Sequence, residues 1–548
     1  MSMAFRDFAP VSNEGVTIAE LCQTHGLACL QGEQQTVIKQ VSLDSQQVLP
    51  QGLFIALPGA KTHGIKYLAG ALKLGATAVL TDPAGAEQAF EAGELPKDFV
   101  VLTHPQPRQI AGEVAAQIFS SPSQAVAVYG VTGTNGKTTT TYLLRAALGA
   151  KNNPQAQDQP LVETKQCGVI GTVAVEIGGA KIPSVRTSVE APLLQQLLAY
   201  AKEKSVPQLA IEVSSHALEL GRVNATKFKV VGFLNLQRDH LDFHGTMEDY
   251  FQAKAKLFTP KYATQGVVCI DDEWGQKLAK TSEIDVVTVA VEKVADWTAK
   301  NLQASEDHRG THFELHGPQG QVVSALAPLP GNYNVENTAM AIVMAIAGGV
   351  EPQLAADAIA HSAQVPGRMQ VAQGRTDTTP LVVVDYAHTT DALTGAIAAL
   401  RDRTEGNMLV VFGATGERDR GKRADMGQTV CAHAEVALVT EDDPYDEDPA
   451  QIRKEVLAGC PNEPVSFKVA KELLATPDHT RESAVVLEID GREKAIITAL
   501  KLATPQDTVL LAGRGHETIQ MVAGVPVHLD DNQVVVDYYA SGEESHEC

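Results

Sequence analysis

At 548 residues the chain has room for about three or four domains of roughly 150 residues each. Its 44% hydrophobic and 20% charged residues are ordinary for a globular chain that buries large cores. A formal charge of −22 argues against nucleic acid or anionic membrane as a partner, so an anionic small molecule would need a local cluster of Arg, Lys and backbone N–H groups.

Seven scattered cysteines without CxxC spacing exclude a zinc ribbon or thioredoxin-type site. Their odd number fits reduced thiols, and a cytoplasmic, monomeric protein is expected. The start MSMAFRDFAP has neither a basic nor an apolar signal region. No apolar stretch reaches the roughly 20 residues that span a bilayer, so membrane insertion is not expected.

Along the chain, residues 1–120 alternate short strands such as Leu53–Leu57 with Ala-rich helical runs such as Tyr67–Gly75. Ser121-Pro-Ser-Gln124 reads as a polar hinge. Residues 121–364 form a second region, opening on the buried-strand pattern Ala125–Val131. Residues 150–162, rich in Asn, Gln and Pro, read as a surface loop. A third region, 365–548, carries strands at Leu381–Val384, Met408–Phe412, Val436–Val439 and Thr508–Leu511 between helical patterns. The tail Ser541–Cys548 reads as disordered. Strands alternating with helices predict parallel sheets with right-handed crossovers, hence an α/β fold.

The strongest local signal is Gly130-Val-Thr-Gly-Thr-Asn-Gly-Lys-Thr138, after a strand and before a helical run. Glycines let successive N–H groups turn toward phosphate oxygens, and the helix N-terminus adds its dipole. Lys137 would reach the outer phosphates and the Thr138 hydroxyl a Mg²⁺ ion. The spacing, Gly133-x2-Gly136-Lys-Thr, is shorter than the common phosphate-loop pattern. Alone, the loop indicates a nucleotide phosphate.

Further motifs follow in order: Ile211-Glu-Val-Ser-Ser-His216, Asn235-x3-Asp239-His-Leu-Asp-Phe-His-Gly245, Ala253-Lys-x2-Leu-Phe258, Gly331-x2-Asn334-x2-Asn337, Pro366-Gly-Arg368, Asp385-Tyr-Ala-His388 and Gly513-Arg-Gly-His-Glu517. With Gly133–Thr139 this series resembles the Mur ligase family. It spans about residue 40 to 520. Asp44-Ser45…Gly52–Leu57, Arg186–Ala191 and the Gly413–Asp419 stretch with Glu517 resemble the members that add the third residue of the cell-wall peptide.

The resemblance implies three α/β domains: an N-terminal UDP-binding domain, a central P-loop ATPase-like domain with a parallel sheet, and a C-terminal Rossmann-like domain that binds the amino acid. It implies an ADP-producing ligase, with ATP, two Mg²⁺ ions, UDP-N-acetylmuramoyl-L-alanyl-D-glutamate and a basic amino acid as its partners. A carboxylate oxygen is a poor leaving group; conversion to an acyl phosphate lets an amine displace phosphate. Metal ions usually relieve the negative charge that gathers there.

By the same resemblance, Gly133, Thr134, Asn135, Gly136, Lys137, Thr138 and Thr139 hold ATP, with Asn337, Arg368, Asp385 and His388. Thr138 and Glu212 hold one Mg²⁺, and His240 lies near the second. Lys254 is implied as a carbamylated lysine (N6-carboxylysine), whose carbamate oxygens help hold a Mg²⁺ ion. Ser45, Thr187, Ser188, Ser214 and Arg222 are implied as contacts of the UDP-linked substrate. Arg418, Asp442, Asp443, Gly513 and Glu517 are implied as the amino-acid pocket.

Each residue also has a structural alternative. Glu212 could close a strand, Lys254 could be a solvated helix lysine, His388 a packed core histidine, and Asp239–His244 a hydrogen-bonded loop. Asp448-Pro449 reads as an N-cap followed by proline at the first helical position. Gln46, Val189 and Thr390 depart from residues common in the family, and Gln46 bears on the uridine diphosphate contact.

For the amino acid, the segment Thr440–Tyr445 decides. Members that use meso-diaminopimelate have Asp-Asn-Pro-Arg there, whose Arg pairs with the second carboxylate. Asp443 and Tyr445 stand at the Asn and Arg positions, so L-lysine is expected, held by Asp442, Asp443 and Glu517, with Arg418 on the α-carboxylate. The alternatives are meso-diaminopimelate, with Arg420 serving the second carboxylate, or L-ornithine. A folylpolyglutamate- or cyanophycin-type ligase is a further alternative, against which the Asp44-Ser45 pattern argues. A non-enzymatic nucleotide switch would leave Glu212, His240 and Lys254 without purpose.

Overall fold

Three layered α/β sheets form where alternating strand and helix patterns predict them. The computed structural model describes residues 4–59, 62–93, 95–150, 166–184, 186–305, 310–475 and 484–541. Of the expected loop 150–162 and tail 541–548, only Ala150 and Ser541 are described, each ending a helix; the rest lies outside the described residues. Two compact units emerge: Met1–Leu302 with Phe313–Leu326 and Val335–Ser362, and Gln303–His312 with Ala327–Asn334 and Ala363–Cys548. We keep 1–120, 121–364 and 365–548 as proposed domain limits.

In the first unit, a five-stranded sheet runs Ala28–Gln31, Val100–Thr103, Ala76–Thr81, Gly52–Ile55, Gln40–Ser42. Only the first strand is antiparallel to its neighbour. Leu53, Ile55, Leu80 and Leu102 pack against Ala111, Val114 and Ile118 of the helix Pro107–Ile118. Strands covered on both faces read as continuous apolar runs, as here.

The same unit holds the parallel part of a larger sheet: Cys167–Ile170, Gln208–Glu212, Ala127–Thr132, Phe228–Phe233, Gln265–Cys269 and Asp285–Ala290. Its register positions the site. Glu212 pairs with Val131, and Phe233 with Thr132, so both neighbouring strands end beside the loop that begins at Gly133.

The second unit is built on a six-stranded sheet: Gln370–Gln373, Leu381–Asp385, Thr508–Ala512, Met408–Phe412, Val436–Val439 and Val485–Glu488. All neighbours are parallel except the first pair. The four strands expected here from the sequence match within one residue. The Asp448-Pro449 cap also forms: the Asp448 carboxylate accepts from Ala450 N at the start of Pro449–Leu457.

Candidate active site

The helix Lys137–Ala150 starts directly after the loop, so its first N–H groups face the loop's hollow. Gly136 has φ 85°, and a Cβ there would lie 2.2 Å from Asn337 Oδ1. Thr140 Oγ1 donates to that same oxygen at 3.3 Å. Asn337 is thereby brought to the loop, as expected. Thr134 N donates to Asn235 O at 3.0 Å, and Asn135 N to Asn235 Oδ1 at 3.0 Å. Lys137 Nζ donates to Gly133 O at 3.0 Å and Thr134 O at 2.8 Å.

Glu212 is 1% exposed. It closes its strand, and its carboxylate also accepts from Thr138 Oγ1 at 3.0 Å, Thr172 N at 2.8 Å and Thr172 Oγ1 at 2.9 Å. All three donors are neutral. Thr172 was not singled out from the sequence; the signal is Gly171, where a Cβ would meet Glu212 Oε1 at 2.2 Å. The pair Thr138 and Glu212 offers hard oxygen donors, which suit Mg²⁺.

Lys254 is not a solvated lysine: it is 1% exposed, and its Nζ donates to Gly133 O at 2.7 Å. Burial, with the Lys137 charge, pushes its pKa well below the ordinary lysine value. Tyr250, one helical turn earlier, lies under the Lys254 ammonium at 4.6 Å and shares a hydrogen bond with Thr134 Oγ1 at 3.2 Å. His240 is half-exposed with φ 53°, its ring 5.0 Å from that of His216. Burial lowers the pKa values of His216, His240 and His244.

Next to this centre, Ser188 Oγ donates to Glu212 O at 2.9 Å and lies 3.4 Å from Ser214 Oγ. Thr172 Oγ1, its proton on Glu212, lies 3.2 Å from the Thr187 hydroxyl, which can donate to it. Ser214 caps the helix Ser215–Glu219 through Ala217 N. Arg222 pairs with Glu190 at 3.0 Å. Thr187, Ser188 and Ser214 therefore adjoin Glu212, whereas Ser45 lies in the turn after Gln40–Ser42, in the five-stranded sheet.

In the second unit, Asp385 accepts from Met369 N and Ala387 N at 2.8 and 2.9 Å. Burial raises its pKa, against the Arg368 charge. The Arg368 guanidinium stacks 4.3 Å from the Tyr386 ring, and His388 Nδ1 lies 2.7 Å from Tyr386 O. These residues form one cluster.

Asp442, Asp443 and Glu517 also converge, with ligand-type atoms within 4.8 Å of one another. One of the three is already ion-paired. Arg514, fully buried, donates to Asp443 Oδ1 at 2.6 Å. Burial and its neighbour Asp443 raise the Asp442 pKa, opposed by Arg492 and Arg514. Burial first, and Asp442 next, push Glu517 up to about 7. Gly513, at φ 113°, carries the chain past Asp442, 3.1 Å from where its Cβ would stand. Tyr445 has φ 52° and is fixed by backbone bonds to Met521 and Ala523. Burial and the Asp443 charge raise the pKa of its phenol, and the charge of the exposed Arg418 opposes the rise. Arg420 is taken by Glu447 at 3.0 Å. The sequence reading missed Arg514, although it lies inside the Gly513–Glu517 motif.

Among the described residues no helix is long and apolar enough to cross a membrane. Three family models match the chain: "Mur ligase family, catalytic domain" over residues 37–117, "Mur ligase middle domain" over 131–345, and "Mur ligase, glutamate ligase domain" over 367–515. The chain is 42% identical over 529 residues to the UDP-N-acetylmuramoyl-L-alanyl-D-glutamate–2,6-diaminopimelate ligase of Streptomyces coelicolor, covering 96% of this chain and 97% of that one. It is 39% identical to the UDP-N-acetylmuramyl-tripeptide synthetase of Leifsonia xyli, with 92% of each chain covered. A solved structure of a UDP-N-acetylmuramoyl-L-alanyl-D-glutamate–2,6-diaminopimelate ligase is similar throughout, with 29% identity, full coverage of both chains and a TM-score of 0.58. L-lysine finds no support in these names; the alternative, diaminopimelate, is the better supported.

Proposed function

The chain belongs to the Mur ligase family, and from that premise we propose that it joins meso-diaminopimelate to UDP-N-acetylmuramoyl-L-alanyl-D-glutamate at the expense of ATP. The observation that carries the substrate is the near-full-length identity to proteins named for that reaction. A carboxylate oxygen of the UDP-linked dipeptide attacks the γ-phosphorus and ADP leaves. The amine of the incoming amino acid then attacks the acyl carbon, losing a proton as phosphate leaves.

Lys137 and the loop N–H groups hold the phosphates, with Asn337, Arg368, Asp385 and His388 as further nucleotide contacts. Thr138 and Glu212 would hold Mg²⁺, with Lys254 as a carbamate and His240 nearby; the ions supply charge neutralisation at the transferred phosphoryl group. The fit is supported by the neutral donors around Glu212, which leave its charge for a cation. For Lys254 the fit rests on burial: an ammonium cannot ligate, but a buried amine with a lowered pKa is the form that adds CO₂. A carbamate nitrogen keeps one N–H, enough for the bond to Gly133 O. Thr187, Ser188, Ser214, Arg222 and Ser45 bind the UDP-linked substrate. Arg418, Asp442, Asp443, Gly513 and Glu517 bind the amino acid.

A second reading, a diamino acid without a second carboxylate such as L-lysine or L-ornithine, is favoured by one observation. Tyr445 carries no charge where the family's diaminopimelate users have Arg. Phosphate release with the UDP-linked dipeptide, measured across these three amino acids under matched conditions, tests both. A kcat/KM highest for meso-diaminopimelate upholds the first reading; one highest for L-lysine or L-ornithine replaces it with the second. No release with any of them overturns the ligase assignment to this dipeptide.

A further inference from the structure

Glu190 stands at the N-cap of the helix Ala191–Glu203, yet its side chain makes no capping hydrogen bond. One carboxylate instead gathers three guanidinium groups. Arg222 Nε and Arg186 Nη1 both donate to Oε1, at 3.0 and 2.8 Å, and Arg108 Nη1 donates to Oε2 at 3.4 Å. The three arginines come from different places: the turn after Ser215–Glu219, the loop before Glu190, and the helix Pro107–Ile118 of the five-stranded layer.

The way Arg222 pairs is informative. It uses Nε, and among the described residues its two Nη groups make no other hydrogen bond. A guanidinium held at Nε presents its terminal fork to whatever stands beyond, and that fork matches a carboxylate or phosphate. The Arg222 side chain is 13% exposed and that of Glu190 24%, so the pair is only partly screened by solvent. Three cations against one anion leave a local charge of about +2 in a chain of −22, the local cluster an anionic substrate needs here. The same loop is tied to the metal-type centre, through Ser188 to Glu212 O and through Thr187 to Thr172.

We propose that Glu190 is a positioning residue of the UDP-substrate site: it fixes Arg222 so that the Nη groups meet an anionic group of the UDP-linked dipeptide. The proposal rests on the reading of Arg222 as a contact of that substrate. Glu190→Gln keeps the shape and removes the charge. It is expected to raise KM for the UDP-linked dipeptide about tenfold, with KM for ATP and for the amino acid within about twofold and kcat little changed. Glu190→Asp is expected to recover most of the loss. In an Arg222→Ala background, which itself raises the same KM, Glu190→Gln is expected to add nothing, because residues that act through one another are not additive.

Three results at Glu190 and one at Arg222 would overturn the proposal. One is a Glu190→Gln enzyme whose three KM values rise together with a lowered melting temperature, the mark of a merely structural role. Another is an additive penalty in the double variant. The third is an unchanged dipeptide KM in Glu190→Gln when Arg222→Ala raises it; Arg222 then keeps its role and Glu190 loses its own. If Arg222→Ala leaves the dipeptide KM unchanged, the reading of Arg222 fails, and the proposal with it.

Discussion

Buried carboxylates sit in opposite surroundings in the two units: a single one in the first, a cluster in the second. Glu212, in the first unit, accepts among the described residues only from hydroxyl and backbone N–H donors. Asp443, in the second, is ion-paired to the fully buried Arg514 at 2.6 Å, and Asp442 lies in the field of Arg492 and Arg514. Neutral donors hold a carboxylate in place without cancelling its charge, which leaves it suited to a cation. A guanidinium cancels it, as Arg514 does at Asp443. Three carboxylates converge there, however, and Arg492 is paired with Asp531, so the second cluster stays acidic. Burial with the neighbouring carboxylates raises the pKa of Asp442 and Glu517. Residue type alone does not distinguish the two; the partners do.

The largest effects are expected where the charge is left open. Lys137→Ala and Glu212→Ala should each lower ligation by about 10² to 10³ or more, the usual loss when one electrostatic contact to developing charge is removed. Circular dichroism should show an intact fold. Near-normal turnover in either variant would remove the basis for the first half of the comparison.

Lys254→Ala should come next, nearly inactive and partly restored by formate or acetate, whose oxygens replace those of the carbamate. Mass spectrometry of the native protein should find one CO₂ added at Lys254. A fully active enzyme with an unmodified lysine contradicts the assignment.

Much of the first unit's site was legible because its signals are local. The strand, the loop Gly133–Thr139 and the helix after it are contiguous, and their spacing alone points to phosphate. Thr172 was hidden because it reaches Glu212 only through the parallel pairing of Cys167–Ile170 with Gln208–Glu212, a contact across about forty residues. The burial of Lys254 was hidden for the same kind of reason. Lys256 and Lys261 follow it closely in sequence, and only packing against the loop sets it apart. In the second unit the motif residues were read correctly as neighbours. What the sequence did not reveal is the pairing of Asp443 with Arg514, 71 residues away in sequence.

A smaller effect is expected at Tyr445, whose phenol lies in the field of Arg418. Tyr445→Arg should shift the kcat/KM ratio of meso-diaminopimelate to L-lysine about tenfold toward the dicarboxylate, since a bidentate partner for a second carboxylate is supplied. An unchanged ratio places the second carboxylate elsewhere, with Arg418 the next residue to replace.

The smallest effect is a pH dependence at Glu517, and it tests whether the second cluster retains any charge for the substrate. Burial, then Asp442, holds this carboxyl at about 7 instead of its ordinary 4.5, with Arg514 opposing and Asp443 adding to the rise. The folded chain therefore keeps a proton that the unfolded chain releases over this interval. Linkage then fixes the sign: the Glu517 contribution to stability is fully present below pH about 4.5 and is lost as pH rises to about 7, levelling above. Substrate binding should run the other way. An ionised Glu517 attracts an ammonium group and a protonated one does not, so KM for the amino acid should fall a few-fold as pH rises through about 7. Glu517→Gln should flatten both trends together while keeping the shape of the side chain. Amino-acid KM and melting temperature, measured in both proteins from about pH 4.5 to about pH 8, provide the check. Profiles that coincide in the two proteins would show that Glu517 does not titrate in this range.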